Sequence, residues 1–158
     1  MVHKRWRLPV VIGAVNLSLC KMAESLYDQY VSAILGAVGK RETTNFELDQ
    51  LGNVLMPGFY RGAYGRGKQP KPDGTRHVLL VNGMSGPPGD HWHAIYREPG
   101  HPDLIYDSFG RGTRGFSGRG TEMDAEQRKT GSDKDTCGQR CLAFGLVAQH
   151  LGQAAHEI

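Results

Sequence analysis

Cysteine is scarce in this sequence, and long apolar runs are missing. The 158 residues include three cysteines, an odd number that does not fit a framework of paired disulfides, so we expect a reducing compartment. No stretch approaches the roughly 20 apolar residues that a membrane-spanning helix needs. These two features argue against a disulfide-stapled scaffold and predict a protein without a membrane partner.

Strong charge of either sign is also missing. The chain has 19 Lys and Arg residues against 16 Asp and Glu residues, a formal net charge of +3, which permits an acidic partner without requiring one. An apolar fraction of 39% and 22 glycines indicate a loop-rich protein. Aliphatic and aromatic residues nevertheless recur throughout, which excludes a disordered chain. The length predicts one domain, spanning residues 1–158.

Apolar periodicity predicts three helices. Apolar residues recur at three- and four-residue steps over residues 17–38, within a helical N-terminal segment of residues 1–40. A Thr or Asn cap before Glu47 and a closing glycine predict a short helix over residues 43–52. Good helix formers with an apolar face predict a last helix over residues 137–151. Helices therefore lie towards both ends of the chain.

A small sheet is predicted between these helices. Residues 76–82 form a compact apolar strand, residues 91–97 alternate like a strand, and residues 103–108 form a return strand after a turn containing Pro and Gly. The glycine, proline and basic residues of 57–75 predict a long surface loop. This order of elements predicts an α+β fold with a small, mostly antiparallel central sheet flanked by helices.

Cys137 stands where a loop enters the last predicted helix. Backbone N–H groups and the positive end of the helix dipole favour a thiolate at such a position, and Gly138 lets a substrate backbone approach closely. A lone cysteine is more often buried and inert, which is the expectation for Cys141 and Cys20. The glycine, together with the His and Asp residues upstream, favours Cys137 as a nucleophile.

His91 ends a glycine-rich loop and begins a strand, a place from which a side chain can project into a cleft. A thiol nucleophile needs such a base, and a third group to orient it. Trp92 either points to the other face of the strand or shields one side of this site. His93 is a rival base because alternate residues of a regular strand share a face. Asp107 ends the return strand, which would bring its carboxylate beside the base. Taken alone, an Asp there is typical of a turn.

The oxyanion that forms after thiol attack needs hydrogen-bond donors. The side-chain amide of Gln127 can supply one, together with the backbone N–H of Cys137 or Gly138. A glutamine in such a segment is otherwise typical of an exposed loop or helix. The residue types alone leave both interpretations open.

One alternative interpretation is a DNA- or capsid-binding module without catalytic activity. Arg111, Arg114 and Arg119 lie in an Arg- and Gly-rich stretch, and arginines in such stretches contact phosphates without sequence preference. A plain surface loop has the same composition. DNA binding therefore stays open as an accessory property of the chain.

A zinc site is a second alternative interpretation. His91, His93, Cys137 and Cys141 form loose zinc-ligand spacings, but both pairs would have to converge in space to give four ligands. The sequence favours catalysis without a metal.

These motifs resemble those of the adenovirus-type cysteine endopeptidases (adenain) and of the related SUMO-deconjugating ubiquitin-like proteases. The resemblance covers residues 43–151, and its motifs are His91-Trp92, the run from Tyr106 to Gly110, Gln127 and Cys137-Gly138. The stretches 81–96 and 48–52 also resemble adenain-type proteases of DNA viruses and virus-like mobile elements.

The resemblance implies the peptidase fold of that family, with the nucleophile at the N-terminus of a helix. Cys137 would attack the scissile carbonyl, while His91 would act first as base and then as acid. Asp107 would orient the histidine, a position where adenain has Glu and the SUMO proteases have Asp. Gln127 would donate to the oxyanion. The substrate-binding positions would be Trp92 and Gly138.

The same resemblance implies a viral endopeptidase that cleaves after glycine in capsid or core precursors through a thioester. It implies a monomer that requires no cofactor, with DNA or a viral peptide as a candidate activator. Such an enzyme works in the virion and in the host nucleus. A peptidase acting on ubiquitin-like modifiers has the same fold and stays open as an alternative.

Overall fold

The computed structural model of the chain describes residues 9–83, 91–109, 119–120 and 136–158. Its helices are α1 (Pro9–Val38), α2 (Asn45–Leu55) and α3 (Cys137–Leu151), followed by a 3-10 helix (Gly152–Glu157). Its strands are β1 (Tyr60–Gly65), β2 (His77–Asn82), β3 (Trp92–Arg97), β4 (Leu104–Tyr106) and β5 (Arg119–Gly120). This order confirms the predicted α+β class. No helix within these ranges is long and apolar enough to cross a membrane.

The five described strands form one sheet in chain order. β2 pairs antiparallel with β3 and β3 with β4, whereas β1 pairs parallel with β2 and β5 parallel with β4. The three predicted strands pair antiparallel, as expected, but β1 and β5 pair parallel, so the sheet is mixed rather than mostly antiparallel. Connection length explains the difference: the turn 98–103 folds the chain straight back, whereas the connection 66–76 is long enough to return β2 parallel to β1.

The predicted surface loop over residues 57–75 contains β1, so this part of the prediction is also wrong. Asp49 of α2 holds the strand, because its Oδ1 accepts hydrogen bonds from the Tyr60 hydroxyl at 3.0 Å and the Ala63 N–H at 2.8 Å. Gly62 has a φ of +107°, and the register with β2 shifts between Tyr60 and Ala63. Because of this register shift, buried and exposed residues do not alternate regularly along β1, so the sequence does not show the period of a strand.

Thr44, one of the Thr and Asn residues that the sequence offers as caps, is the N-cap of α2. The side-chain oxygen of Thr44 accepts the N–H of Glu47 at 3.2 Å, and the Glu47 carboxylate accepts the N–H of Thr44 at 2.9 Å. This reciprocal capping box satisfies two N–H groups that the helix leaves without partners. It also holds the neighbouring backbone of Thr43, whose carbonyl oxygen accepts a hydrogen bond from the Trp92 indole.

α3 packs with α1 on one face of the sheet and is buried for most of its length. The ring of Tyr106 in β4 stacks on Phe144 of α3 with centroids 4.9 Å apart, and its hydroxyl meets that of Tyr27 in α1. A smaller apolar cluster lies on the other face of the sheet and consists of Leu79, Val81, Ile95 and Ile105. Burial on both faces explains the uninterrupted apolar sequence of β2.

Candidate active site

Cys137 is the first residue of α3, as predicted, and its sulfur faces the start of β3. The side chain is only 6% exposed. Its Sγ accepts a hydrogen bond from the backbone N–H of Trp92 at 3.5 Å. One helical turn later, Sγ of Cys141 donates to the carbonyl oxygen of Trp92 at 3.4 Å. The helix therefore places the predicted nucleophile against the peptide group that follows His91.

The thiol of Cys137 is protonated in the resting site. Burial raises its pKa above the ordinary value for cysteine, and the negative charge of Asp107 adds to this effect. Hydrogen bonds from backbone N–H groups, including those of Trp92 and Gly138, lower the pKa without reversing the shift. The helix start thus favours the thiolate, as predicted, but burial outweighs it. A base must remove the proton before the sulfur can attack.

His91 and Asp107 form the shortest polar contact of the site. Nε2 of His91 donates to Oδ1 of Asp107 at 2.6 Å, and the two side chains are buried. The backbone N–H of Phe109 donates to the same oxygen at 2.9 Å, and the Phe109 ring lies 4.6 Å from the His91 ring. The structure therefore brings together the two residues that the sequence analysis assigned as base and orienting acid.

The β3–β4 hairpin explains why these residues meet. Ala94 pairs with Tyr106 in the antiparallel register, and continuing this register by one residue sets Asp107 opposite His93. His91 lies two residues further along the same face of the strand, which makes it the diagonal neighbour of the carboxylate. Hence both histidines face Asp107.

The carboxyl group of Asp107 is ionised. Burial raises its pKa, but the hydrogen bond from His91, the nearby Nε2 of His93 and the charges that the two rings can carry outweigh burial and hold the pKa well below its usual range. An ionised carboxylate fixes the proton of His91 on Nε2. The proton of the thiol would consequently go to the other ring nitrogen, Nδ1.

Trp92 forms one wall of a cleft at this end of the sheet. Its indole N–H donates to the carbonyl oxygen of Thr43 at 3.3 Å, and its backbone N–H contacts the sulfur of Cys137. The cleft has a volume of about 390 Å³. Its remaining lining residues are Thr43, Thr44, Asn45, Ala63, Gly65 and Asn82. A chain bound in this cleft would pass the residue that contacts the thiol.

Gly138 is buried under the segment that precedes α2. A Cβ added at this position would lie 2.3 Å from the Oγ1 of Thr43 and 3.0 Å from the Cδ2 of Leu48. The missing side chain is thus used for packing α2 against the start of α3. The predicted contact of Gly138 with a substrate backbone stays a prediction.

We expect Gly138→Ala to destabilise the protein by about 1–3 kcal/mol, the usual cost of overpacking. It should also lower any thiol reactivity, because the start of α3 must move away from Thr43. Urea unfolding measures the first effect. Gly36→Ala is the matched control, since a Cβ there meets nothing within 4 Å, and a helical Gly→Ala change stabilises by about 0.5–1 kcal/mol. Equal stability of both variants would contradict this account of Gly138.

Three of the predicted site residues lie outside the described residues: Gln127, Arg111 and Arg114. Arg119 is described only as part of the backbone of β5. Their roles in oxyanion binding and nucleic-acid binding remain predictions. The first N–H groups of α3 are further candidate donors to an oxyanion, because the first turn of a helix leaves such groups without helical partners.

The side chains of metal-ligand type that lie together in the described residues are not the set of His and Cys residues that the zinc alternative names. Ligand atoms of His91, His93 and Asp107 lie within 4.8 Å of one another. The 2.6 Å between His91 and Asp107 is the length of a hydrogen bond. Two ligands on a tetrahedral zinc ion stand roughly 3.3 Å apart, as bond lengths near 2.0 Å require. The His91–Asp107 pair therefore has the geometry of a hydrogen bond rather than that of two ligands on one zinc ion.

Thr43 is a site residue that sequence reasoning missed. Its carbonyl accepts the indole N–H of Trp92, 49 positions away along the chain, and its buried hydroxyl lies against Gly138. No local sequence pattern predicts this role, because both contacts of Thr43 are with residues distant in the chain.

Comparison of the sequence with known proteins gives no relative that would assign these residues a role. No protein-family model matches the chain, and no curated protein matches it.

Proposed function

We propose that this protein is a cysteine endopeptidase of the adenovirus type, with Cys137, His91 and Asp107 as its catalytic residues. One observation carries the proposal. The sulfur at the start of α3 lies 3.5 Å from the N–H of the residue after His91, and the ring of His91 donates at 2.6 Å to a buried carboxylate. The thiol beside the peptide group after His91, and the imidazole bonded to a carboxylate, support the roles of nucleophile, base and orienting group.

The protonated resting thiol makes His91 a general base. Nδ1 of His91 would take the thiol proton as Sγ of Cys137 attacks the scissile carbonyl carbon. Asp107 stabilises the imidazolium that results. N–H groups at the start of α3, and the amide of Gln127 as predicted, would donate to the oxyanion.

Collapse of the tetrahedral intermediate breaks the C–N bond and leaves a thioester on Cys137. The imidazolium of His91 gives its proton to the leaving amine, and the amine product departs. A water molecule then gives a proton to His91 and attacks the thioester. The acid product leaves, and the proton returns to the sulfur, which restores the starting state.

We infer from the resemblance that the substrates are capsid or core precursors cut after glycine, in the virion and the host nucleus. The cleft supports a slim substrate, because Ala63 and Gly65 present little side chain to it. The same resemblance adds DNA or a viral peptide as an activating ligand.

A peptidase for ubiquitin-like modifiers is the second proposal within the same fold. Phe46 and Val54 of α2 are 66% and 79% exposed, and α2 borders the cleft, so a folded substrate domain could pack there. Cleavage of a ubiquitin-like fusion protein should be compared with cleavage of a glycine-containing capsid-junction peptide. Preference for the fusion protein would favour this second function.

A nucleic-acid-binding module is the proposal of a different class. The connection between β1 and β2 exposes Arg66, Lys68 and Lys71, which adds basic charge to that of the Arg- and Gly-rich stretch. Electrostatic binding to DNA must weaken as salt is added. Binding that resists salt would count against this contact.

Covalent labelling tests the proposed nucleophile. An electrophilic peptide ending in glycine is expected to label Cys137, and mass mapping would identify the site. Exposure alone predicts a different result, because Cys20 is partly exposed whereas Cys137 and Cys141 are buried. Labelling should disappear in His91→Ala. Slow, equal labelling of all three cysteines, also with DNA added, would contradict the peptidase and favour the binding module.

A further inference from the structure

A second buried histidine faces the catalytic carboxylate. His93 of β3 has no exposed surface, and its Nε2 lies 3.4 Å from Oδ2 of Asp107. The His91 ring stands edge-on to it, with centroids 4.8 Å apart and an interplanar angle of 76°. Each oxygen of the carboxylate is therefore faced by one imidazole.

This arrangement follows from the sheet. Residues two apart on a strand share a face, and the register of the hairpin sets His93 directly across from Asp107. A directly opposite pair has closer Cβ atoms than a diagonal pair. His93, which is not the proposed base, is therefore closer in the sheet to Asp107 than His91 is.

We propose that His93 is a positioning residue, which holds the carboxylate of Asp107 in the plane where Oδ1 meets the catalytic base. The inference rests on the proposed peptidase function. His91 and the N–H of Phe109 both bond to Oδ1, and the final torsion of an aspartate is soft. An N–H donor at Oδ2 removes the remaining freedom of rotation.

Packing alone does not account for a histidine at this position. Neither ring nitrogen of His93 makes a well-aligned hydrogen bond within the described residues, and each such buried polar group costs about 1–3 kcal/mol. An apolar side chain of similar volume would avoid that cost. A rotation of the ring that aligned Nε2–H with Oδ2, 3.4 Å away, would form this hydrogen bond, and catalytic hydrogen bonds often tighten when substrate binds.

A double-mutant cycle tests whether His93 acts through Asp107. His93→Leu keeps the volume and removes the donor, so kcat for peptide cleavage should fall roughly 10- to 100-fold, as for a misplaced catalytic group. KM should change less than about threefold, because no substrate contact is lost. In the Asp107→Asn background the same substitution should cause no further loss. An equal loss in both backgrounds would overturn the proposal.

Conservative variants separate positioning from packing. His93→Gln keeps an N–H donor at the reach of Nε2 and should retain most of kcat, whereas the shorter His93→Asn should not. His77→Leu is the matched control, because His77 is a buried histidine of the neighbouring strand with its own partner, Asp73. If the leucine variant of His93 does not fold by circular dichroism, the Gln and Asn variants carry the test. Equal activity of these two would overturn the proposal.

The labelling rate of Cys137 distinguishes two kinds of failure. If the wild-type thiol reacts no faster than Cys20, the peptidase function fails and the positioning role falls with it. If the wild-type thiol is selectively reactive and His93→Leu reacts as fast, the peptidase stands and only the role of His93 is refuted.

Discussion

Cys137→Ala and His91→Ala are each expected to abolish peptide hydrolysis, and the double variant should be no worse than either single one. The thiol rests protonated in a buried site, so the sulfur is inactive without its base and the base has no function without the sulfur. Residues that act as such a unit show losses near 10⁶-fold that do not add. The measurement is kcat/KM on a glycine-containing peptide.

A cysteine control sharpens this expectation. Cys20→Ala removes the most exposed of the three cysteines, whose Sγ donates to the carbonyl oxygen of Glu157, and should leave kcat/KM unchanged. Unfolding curves should show that His91→Ala remains folded. Substantial cleavage by Cys137→Ala would refute the proposed nucleophile, whatever the behaviour of His91→Ala.

The elements around the site were predictable where the sequence carries a local physical signal. A Thr or Asn cap before Glu47 predicts the start of α2 to within two residues, and the loop-to-helix change at Cys137 predicts the start of α3. Both signals lie within a few residues, so no knowledge of distant contacts is needed.

The missed features depend on contacts between distant residues. β1 is held by Asp49 and by pairing with β2, and neither contact leaves a trace in the composition of residues 57–75. The parallel direction of β1 likewise depends on the path of its connection. Composition predicts a loop there because it reports local preference only.

The candidate site shows the same division. Residue types and chain order were enough to nominate His91 and Asp107, which the structure brings within 2.6 Å. They could not decide what His93 does, because that depends on which residue of the return strand stands opposite. Sequence periodicity gives the face of a strand but leaves its pairing register open.

Asp107→Asn is expected to lower kcat by about 10⁴-fold, the effect of an amide at the orienting position of a catalytic triad. The amide N–H₂ or carbonyl of Asn cannot stabilise the imidazolium of His91 as an anion does, and it favours the wrong tautomer of the neutral ring. Asp103→Asn is the matched control, because Asp103 precedes the same strand and pairs with Arg97 at 3.2 Å. That change should leave kcat unaffected.

The stability of Asp107→Asn should depend on pH in a defined direction. Burial raises the pKa of Asp107, but the two neighbouring histidines lower it by more than burial raises it. The folded-state pKa therefore lies below the unfolded value of about 3.9. A lowered pKa stabilises the folded state in full above the unfolded pKa, and this contribution is lost as the pH falls towards the folded pKa. The difference in unfolding free energy between wild type and Asp107→Asn should therefore be constant near neutral pH and shrink below a pH of about 4. A difference that grows on acidification would mean that folding raises the pKa of Asp107, which would contradict a carboxylate whose charge is stabilised by its histidine partners.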